Sequence, residues 1–383
     1  MKTVNDKTLE ITEYRLLGEL PDPFILDSGE RVTSPVQWGV RRKELYGPCV
    51  ELQYGCMPPE PEFLEVETLY RADTCSYMIH TGTRLRPIRF RMQVVLPAYP
   101  WDIKEKVPAI VDGDLSFGYY FDKAFMRAAL DRNIAWVFFD RTELAHDICG
   151  EGRGKGQLCE TYPECRAGAL AAWAWGYSRC VDALEKIDLP IDLDWIVFTG
   201  HSRGGKTVAL AGAVDERARI VNPNETCAGA CGCYRVHMKG KCEGAPEGRS
   251  ETLKDIWGVF PFWFGERFGD YADDETKLPF DAHFLKAMVA PRTLFVSEAA
   301  GDIWANPVGS WQTTEAAREV FDFLGAKDRL YWYFRPGTHG HLPEDVEMLV
   351  NVILHEKDNA PVDRRMYRLP FEAPPKAYSW EKP

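Results

Sequence analysis

The sequence has no run of roughly 20 apolar residues, the length a helix needs to cross a bilayer, so no membrane partner is expected. It has no excess of positive charge either: 46 Lys+Arg face 58 Asp+Glu, a formal net charge of −12 over 383 residues. Without a broad basic field, nucleic acid is not an expected partner. The opening residues, MKTVNDKTLEITEYRLL, alternate charged and apolar positions and lack the apolar core of a secretory signal. The 11 cysteines are odd in number and irregularly spaced, which argues against a disulfide framework and for thiols in a reducing compartment. The chain as given is therefore expected to be soluble and cytoplasmic; a chain trimmed of a leader would be secreted.

No internal repeat, low-complexity run or Ser/Gly linker divides the chain, so one domain over residues 1–383 is the simplest reading, and nothing in the pattern fixes an oligomeric state. With 45% hydrophobic and 13% aromatic residues, the chain can build a large core. Residues 1–60, rich in Pro and Gly, read as an extended arm packed on that core. FLEVETLY and IRFRMQVVLP alternate apolar and polar positions, as half-buried antiparallel strands do. From Val107 onward continuous apolar runs (VPAIVDGD, IAWVFFD, WIVFTGHS, RTLFVSEA, RLYWYF) alternate with amphipathic helical segments. This predicts an α/β fold, a mostly parallel central sheet sandwiched by helices, with chemistry at the C-terminal ends of its strands.

Gly200-His201-Ser202-Arg203-Gly204 lies between the strand WIVFT and a helix, the context in which G-x-S-x-G becomes a nucleophile elbow. Ser202 is the candidate nucleophile, and the amide of Arg203 can donate to a developing oxyanion at the helix N-terminus. A serine hydroxyl needs a base. His339 and His341 both lie in the Gly-rich loop after RLYWYF; His339 is favoured because it comes sooner after the strand, between turn-forming residues. His201 reads as packing. Three carboxylates could orient the imidazole: Glu225 in VNPNETCAGACG, and Glu298 and Asp302 after RTLFV, with chain order favouring Asp302. The loop after VPAIV, around Asp112-Gly113, is expected to give a second oxyanion donor.

The elbow GHSRGGK, AWAWGYSRCVDALE, NPNETCAGACGCYR, LPFDAHFLKAMVAPR and GDIWANP resemble the glucuronoyl esterases, carbohydrate esterases of the α/β-hydrolase superfamily that cut esters of 4-O-methyl-glucuronic acid in xylan–lignin cross-links. The resemblance covers most of the chain and implies an α/β-hydrolase fold. It implies Glu225 as the triad acid, with Asp302 as the alternative, an oxyanion role for Arg203, and sugar contacts from Lys206 and Trp304. Fungal members carry cysteines where this chain has His201 and Leu342, so that bridge is not expected. An acidic sugar-binding residue of the family looks replaced within residues 259–264.

The implied reaction is serine carboxylic ester hydrolysis of glucuronoyl esters through an acyl-enzyme, with no cofactor, a carbohydrate ester derived from glucuronoxylan as substrate, and donors of the oxyanion type worth roughly 3 to 4 kcal/mol each. A broader carbohydrate or acetyl esterase, and a non-catalytic carbohydrate-binding relic, are the alternatives. Trp311 is a weaker candidate for ligand contact. Cys227, Cys231, Cys233 and Cys242 do not have zinc-knuckle spacing, so no metal is expected. Asp281 and His283 read as a supporting polar pair.

Overall fold

The computed structural model describes residues 4, 5, 8–243 and 246–383. Its strands are β1 (Val4–Asn5), β2 (Leu9–Leu16), β3 (Phe63–Tyr70), β4 (Thr74–Gly82), β5 (Pro87–Val95), β6 (Val107–Asp112), β7 (Ala135–Phe139), β8 (Ile191–His201), β9 (Ala218–Asn224), β10 (Val236–Cys242), β11 (Gly248–Arg249), β12 (Thr293–Ala299), β13 (Leu330–Arg335) and β14 (Arg368–Leu369). Nine of them form the central sheet, in the order β13-β12-β9-β8-β6-β7-β5-β4-β3. The alternating segments become the antiparallel edge, with β4 buried at every second residue between β3 and β5. From β7 through β6, β8, β9 and β12 to β13 every neighbouring pair is parallel. There β6, β7, β12 and β13 are buried along their whole length, which is why they read as unbroken apolar runs.

The helices are α1 (Pro35–Glu44), α2 (Lys123–Leu130), α3 (Gln157–Thr161), α4 (Ala169–Leu184), α5 (Arg203–Val214), α6 (Leu253–Val259), α7 (Ala282–Ala287), α8 (Pro307–Phe323) and α9 (Pro343–Asp358). Alternate strand residues separate into two cores. Ile110, Trp136, Val197 and Phe295 pack with α2 and α9, whereas Val111, Val137, Phe198 and Val296 pack with α4, α5 and α8. A fully buried side chain such as Phe125 contributes roughly 1.5 to 3 kcal/mol to such a layer.

Two expectations need correction. The arm over residues 1–60 is not simply extended: it contains α1, whose N-cap Ser34 accepts from the Gln37 amide, with Pro35 entering at the first turn. Burial of Trp38 and Arg41 holds that helix on the core, and Arg42 donates to the carbonyls of Met288 and Ala213. The cysteines are not all thiols, because a disulfide joins Cys56 at the end of the arm to Cys165 ahead of α4. A small antiparallel sheet, β11-β10-β2, also forms; its strand β2 lies within the opening residues that alternate charged and apolar positions.

Candidate active site

The site forms where β8, β9, β12 and β13 end. Ser202 sits between β8 and α5 at φ 56° and ψ −116°. A non-glycine residue in that region costs of order 1 to 3 kcal/mol, so the surroundings must impose it. The Ser202 amide donates to the Asn224 carbonyl at 2.9 Å. The flanking glycines are required by contact: a Cβ on Gly200 would lie 2.7 Å from the Gly204 carbonyl carbon, and one on Gly204 would lie 2.3 Å from Asp114 Oδ2. Asp114 in turn accepts from the His201 amide at 3.2 Å and pairs with the fully buried Arg141.

Arg203 is the first residue of α5, so its amide has no acceptor within the helix. Its guanidinium lies 5.0 Å over the Trp263 ring and donates to Asp147 at 3.0 Å. The second donor expected around Asp112-Gly113 is not free. The Gly113 amide donates to the Tyr177 hydroxyl at 2.8 Å, and Asp114 N donates to Asp112 Oδ1 at 2.7 Å.

His339 meets two of the three candidate acids; the third, Glu298, is buried and accepts from the Ser310 hydroxyl at 2.8 Å. The His339 Nδ1 is 2.6 Å from Asp302 Oδ2 and 3.2 Å from Glu225 Oε2. Burial alone would depress this imidazole, but the hydrogen bonds to Asp302 and Glu225 outweigh it and raise the pKa to about 9. Burial drives Glu225 up to about 7, against the pull of His339 and Arg335. His339 is 43% exposed, while Glu225 is fully buried. His341 is different: it is buried, has no carboxylate partner among the described residues, and meets Tyr119 and Phe125 edge-on at 5.0 and 4.8 Å. Burial, then His201, hold it well below the ordinary imidazole range. His201 stacks on His341 at 5.3 Å and lies 4.5 Å from His339. Among the described residues, His201, Glu225 and His339 offer the one set of ligand atoms close enough, within 4.8 Å, to hold a metal.

Lys206 is buried on α5 and donates to the Thr226 carbonyl. Trp304, 43% exposed, lies under the Arg249 guanidinium at 5.1 Å. Both are tied to a residue the sequence reading passed over, Glu251. Burial raises its pKa, opposed by Lys206 and a hydrogen bond from Trp304, and it accepts from the Ala228 amide at 3.1 Å. The expected loss of an acidic group over residues 259–264 is thus accompanied by a buried carboxylate elsewhere. Its signal was Thr252-x-x-Asp255, a capping box that starts α6 and fixes the residue before it. Arg335 was also missed. It is buried, pairs with Glu225 and Asp345, and donates to the carbonyls of Thr338 and Gly340, shaping the histidine loop.

Trp311 is half-buried against the core and meets Phe371 edge-on at 6.0 Å. Asp281 binds the amides of Tyr234 and Arg235, and His283 bonds the Pro21 carbonyl at 2.8 Å, so this pair fastens the arm and the β9–β10 connection.

A family profile described as "Glucuronyl esterase, fungi" matches residues 79–325. A 4-O-methyl-glucuronoyl methylesterase from Podospora anserina is 30% identical over 85% of this chain and 64% of its own length. Another, from Hypocrea jecorina, is 31% identical over 85% of this chain and 66% of its own. The chain thus spans just under two thirds of the length of these curated relatives. Among solved structures, a carbohydrate esterase family 15 glucuronoyl esterase from Caldicellulosiruptor kristjansonii has a TM-score of 0.82 at 28% identity, covering 96% of this chain and 98% of that one. The fold is that of the α/β hydrolases, as the resemblance implied, built on the mostly parallel sheet that the strand and helix pattern predicted.

Proposed function

The chain belongs to the glucuronyl esterase family, and from that premise we propose that it is a serine carboxylic ester hydrolase cleaving 4-O-methyl-glucuronoyl esters. The observation that carries the reading is one imidazole, His339, held through Nδ1 by two carboxylates beside a strained serine elbow. With Nδ1 so occupied, Nε2 is the nitrogen left to exchange a proton with Ser202. His339 removes the hydroxyl proton as Oγ attacks the ester carbonyl. The Arg203 amide and guanidinium stabilise the oxyanion, and His339 then protonates the departing alcohol as the ester C–O bond breaks. Water attacks the acyl-enzyme and gives its proton to the same imidazole, which returns it to Ser202 Oγ as the acyl C–O bond breaks and the uronate leaves.

A neutral uronate ester presents hydroxyls and an apolar C–H face. Lys206 and Glu251 supply a donor and an acceptor for the former, and the exposed Trp304 ring supplies a surface for the latter. Asp302, closer to Nδ1 than Glu225, shares the acid role with it. Benzyl glucuronate and 4-nitrophenyl acetate test the substrate: the uronate ester should be cleaved with far higher kcat/KM. If it is ignored while the acetate is turned over well, the chain is a broader esterase. Ser202→Ala should abolish turnover, and an unchanged rate would remove Ser202 from the mechanism.

A further inference from the structure

An arginine stabilises developing negative charge only if its fork is already in place, because a free side chain has about 2 kcal/mol of rotamer entropy to lose. Arg203 is a third exposed, with its side chain at 32%, yet it is held on two sides. Its Nη1 donates to Asp147 Oδ2 at 3.0 Å, and its Cζ lies 5.0 Å from the Trp263 ring centroid and 5.3 Å from that of Phe260.

The clamp is itself immobile. Asp147 is 7% exposed; its Oδ1 accepts from Trp263 Nε1 at 2.9 Å, and its Oδ2 lies 3.9 Å from the buried Arg141 Nη2. Trp263 stacks on Phe260 at 3.8 Å with the planes 6° apart. Arg153 fastens their turn from behind by donating to the carbonyls of Pro261 and Phe264. One carboxylate therefore binds both the arginine and the ring beside it. Among the described residues Asp147 is the one hydrogen-bond partner of the Arg203 side chain, which leaves its other donors for a ligand. The same carboxylate lies near a second cation, Arg141, whose charge repels that of Arg203.

We infer that Asp147, seconded by Trp263, is the positioning residue for Arg203, holding its remaining donors beside Ser202 for the charge that grows on the ester oxygen. This rests on the serine-esterase reading. The contact is absent from the sequence pattern because Asp147 lies in the loop after β7 and Trp263 in the turn after α6.

The test compares wild type, Arg203→Ala, Asp147→Asn, Asp147→Glu, Trp263→Phe and the double variant Arg203→Ala/Asp147→Asn. One readout is turnover of benzyl glucuronate and the other is phosphonylation of Ser202 by a 4-nitrophenyl phosphonate. Arg203→Ala should lose about 100-fold in both rates, the size seen when one oxyanion donor is removed. Asp147→Asn should lose about tenfold in kcat with KM within about twofold, since the interaction grows in the transition state. Asp147→Glu should recover part of that, and Trp263→Phe, which keeps the ring but not the N–H, should lose less in the same direction. The double variant should be no slower than Arg203→Ala. Wild-type rates in Asp147→Asn, or losses that multiply in the double variant, would overturn the inference. If the uronate ester is not cleaved but phosphonylation follows this pattern, the substrate reading fails and the clamp stands; if wild-type Ser202 does not react with the phosphonate, both fall.

Discussion

His339 and His341 are two residues apart and chemically opposite, because one ring edge meets carboxylates and the other meets aromatics. His339→Phe is expected to lose at least 1,000-fold in kcat, the scale of a missing triad base. His341→Phe fits the same aromatic pocket and should stay within about tenfold, as a near-isosteric core swap does. Equal losses in the two variants would deny His339 its distinct role. The neutral form of His339 is the base, and its pKa is raised to about 9, so kcat/KM should climb with pH toward a limb in that region. Asp302→Asn removes an attraction for the imidazolium, lowers that pKa and moves the limb to lower pH; Glu225→Gln, at the longer distance, should move it less. A pH–rate profile of Asp302→Asn that overlays the wild type would exclude Asp302 as partner. His201 stays neutral because burial, then His339, push its pKa to about 3. Its Nδ1–H donates to Asn224 Oδ1, whose amide is oriented by Ser297.

At the scale of elements, the elbow depends on the loop after β6. Asp114 touches the start of α5 so closely that Gly204 has no room for a Cβ, and it pairs with Arg141, fully buried between the Phe117 and Trp173 rings. Asp114→Asn leaves an arginine buried with less compensation, a change that costs about 3 kcal/mol or more. The expected result is a urea midpoint well below wild type with the m-value unchanged. A midpoint equal to that of wild type would mean that Asp112 and Asp147 alone satisfy Arg141. The order of strands matters equally. Consecutive strands β8 and β9 are neighbours, and β12 and β13 follow beside them, so four loops carrying Ser202, Glu225, Asp302 and His339 open on one edge.

Across the whole molecule, the site sits on acids that the fold keeps protonated more tightly than the unfolded chain would. Burial raises Glu298 from 4.5 to about 8, against Ser310 and Lys286, and raises Glu225 to about 7. The folded state binds these protons more strongly, so their stabilising contribution is complete at low pH and lost as pH climbs from the unfolded value toward the folded one. Between pH 5 and 8 the wild-type melting temperature should therefore fall more steeply than that of Glu298→Gln, which has no proton to lose there. Parallel curves for the two proteins would show that Glu298 is not held protonated.

The sequence by itself determined the parallel sheet, the antiparallel edge, the serine elbow and the histidine loop, because each is a local pattern: continuous or alternating apolar residues, or glycines around a nucleophile. α5 starts directly after Ser202, as the strand–elbow–helix context implied. What only tertiary structure decided is everything that joins distant segments. His339 meets Asp302 and Glu225 together, Glu251 lies beside Lys206 and Trp304, Arg335 shapes the histidine loop, and Cys56 finds Cys165. Charge pairing and burial act through space between residues far apart in the chain, so no window of sequence contains them.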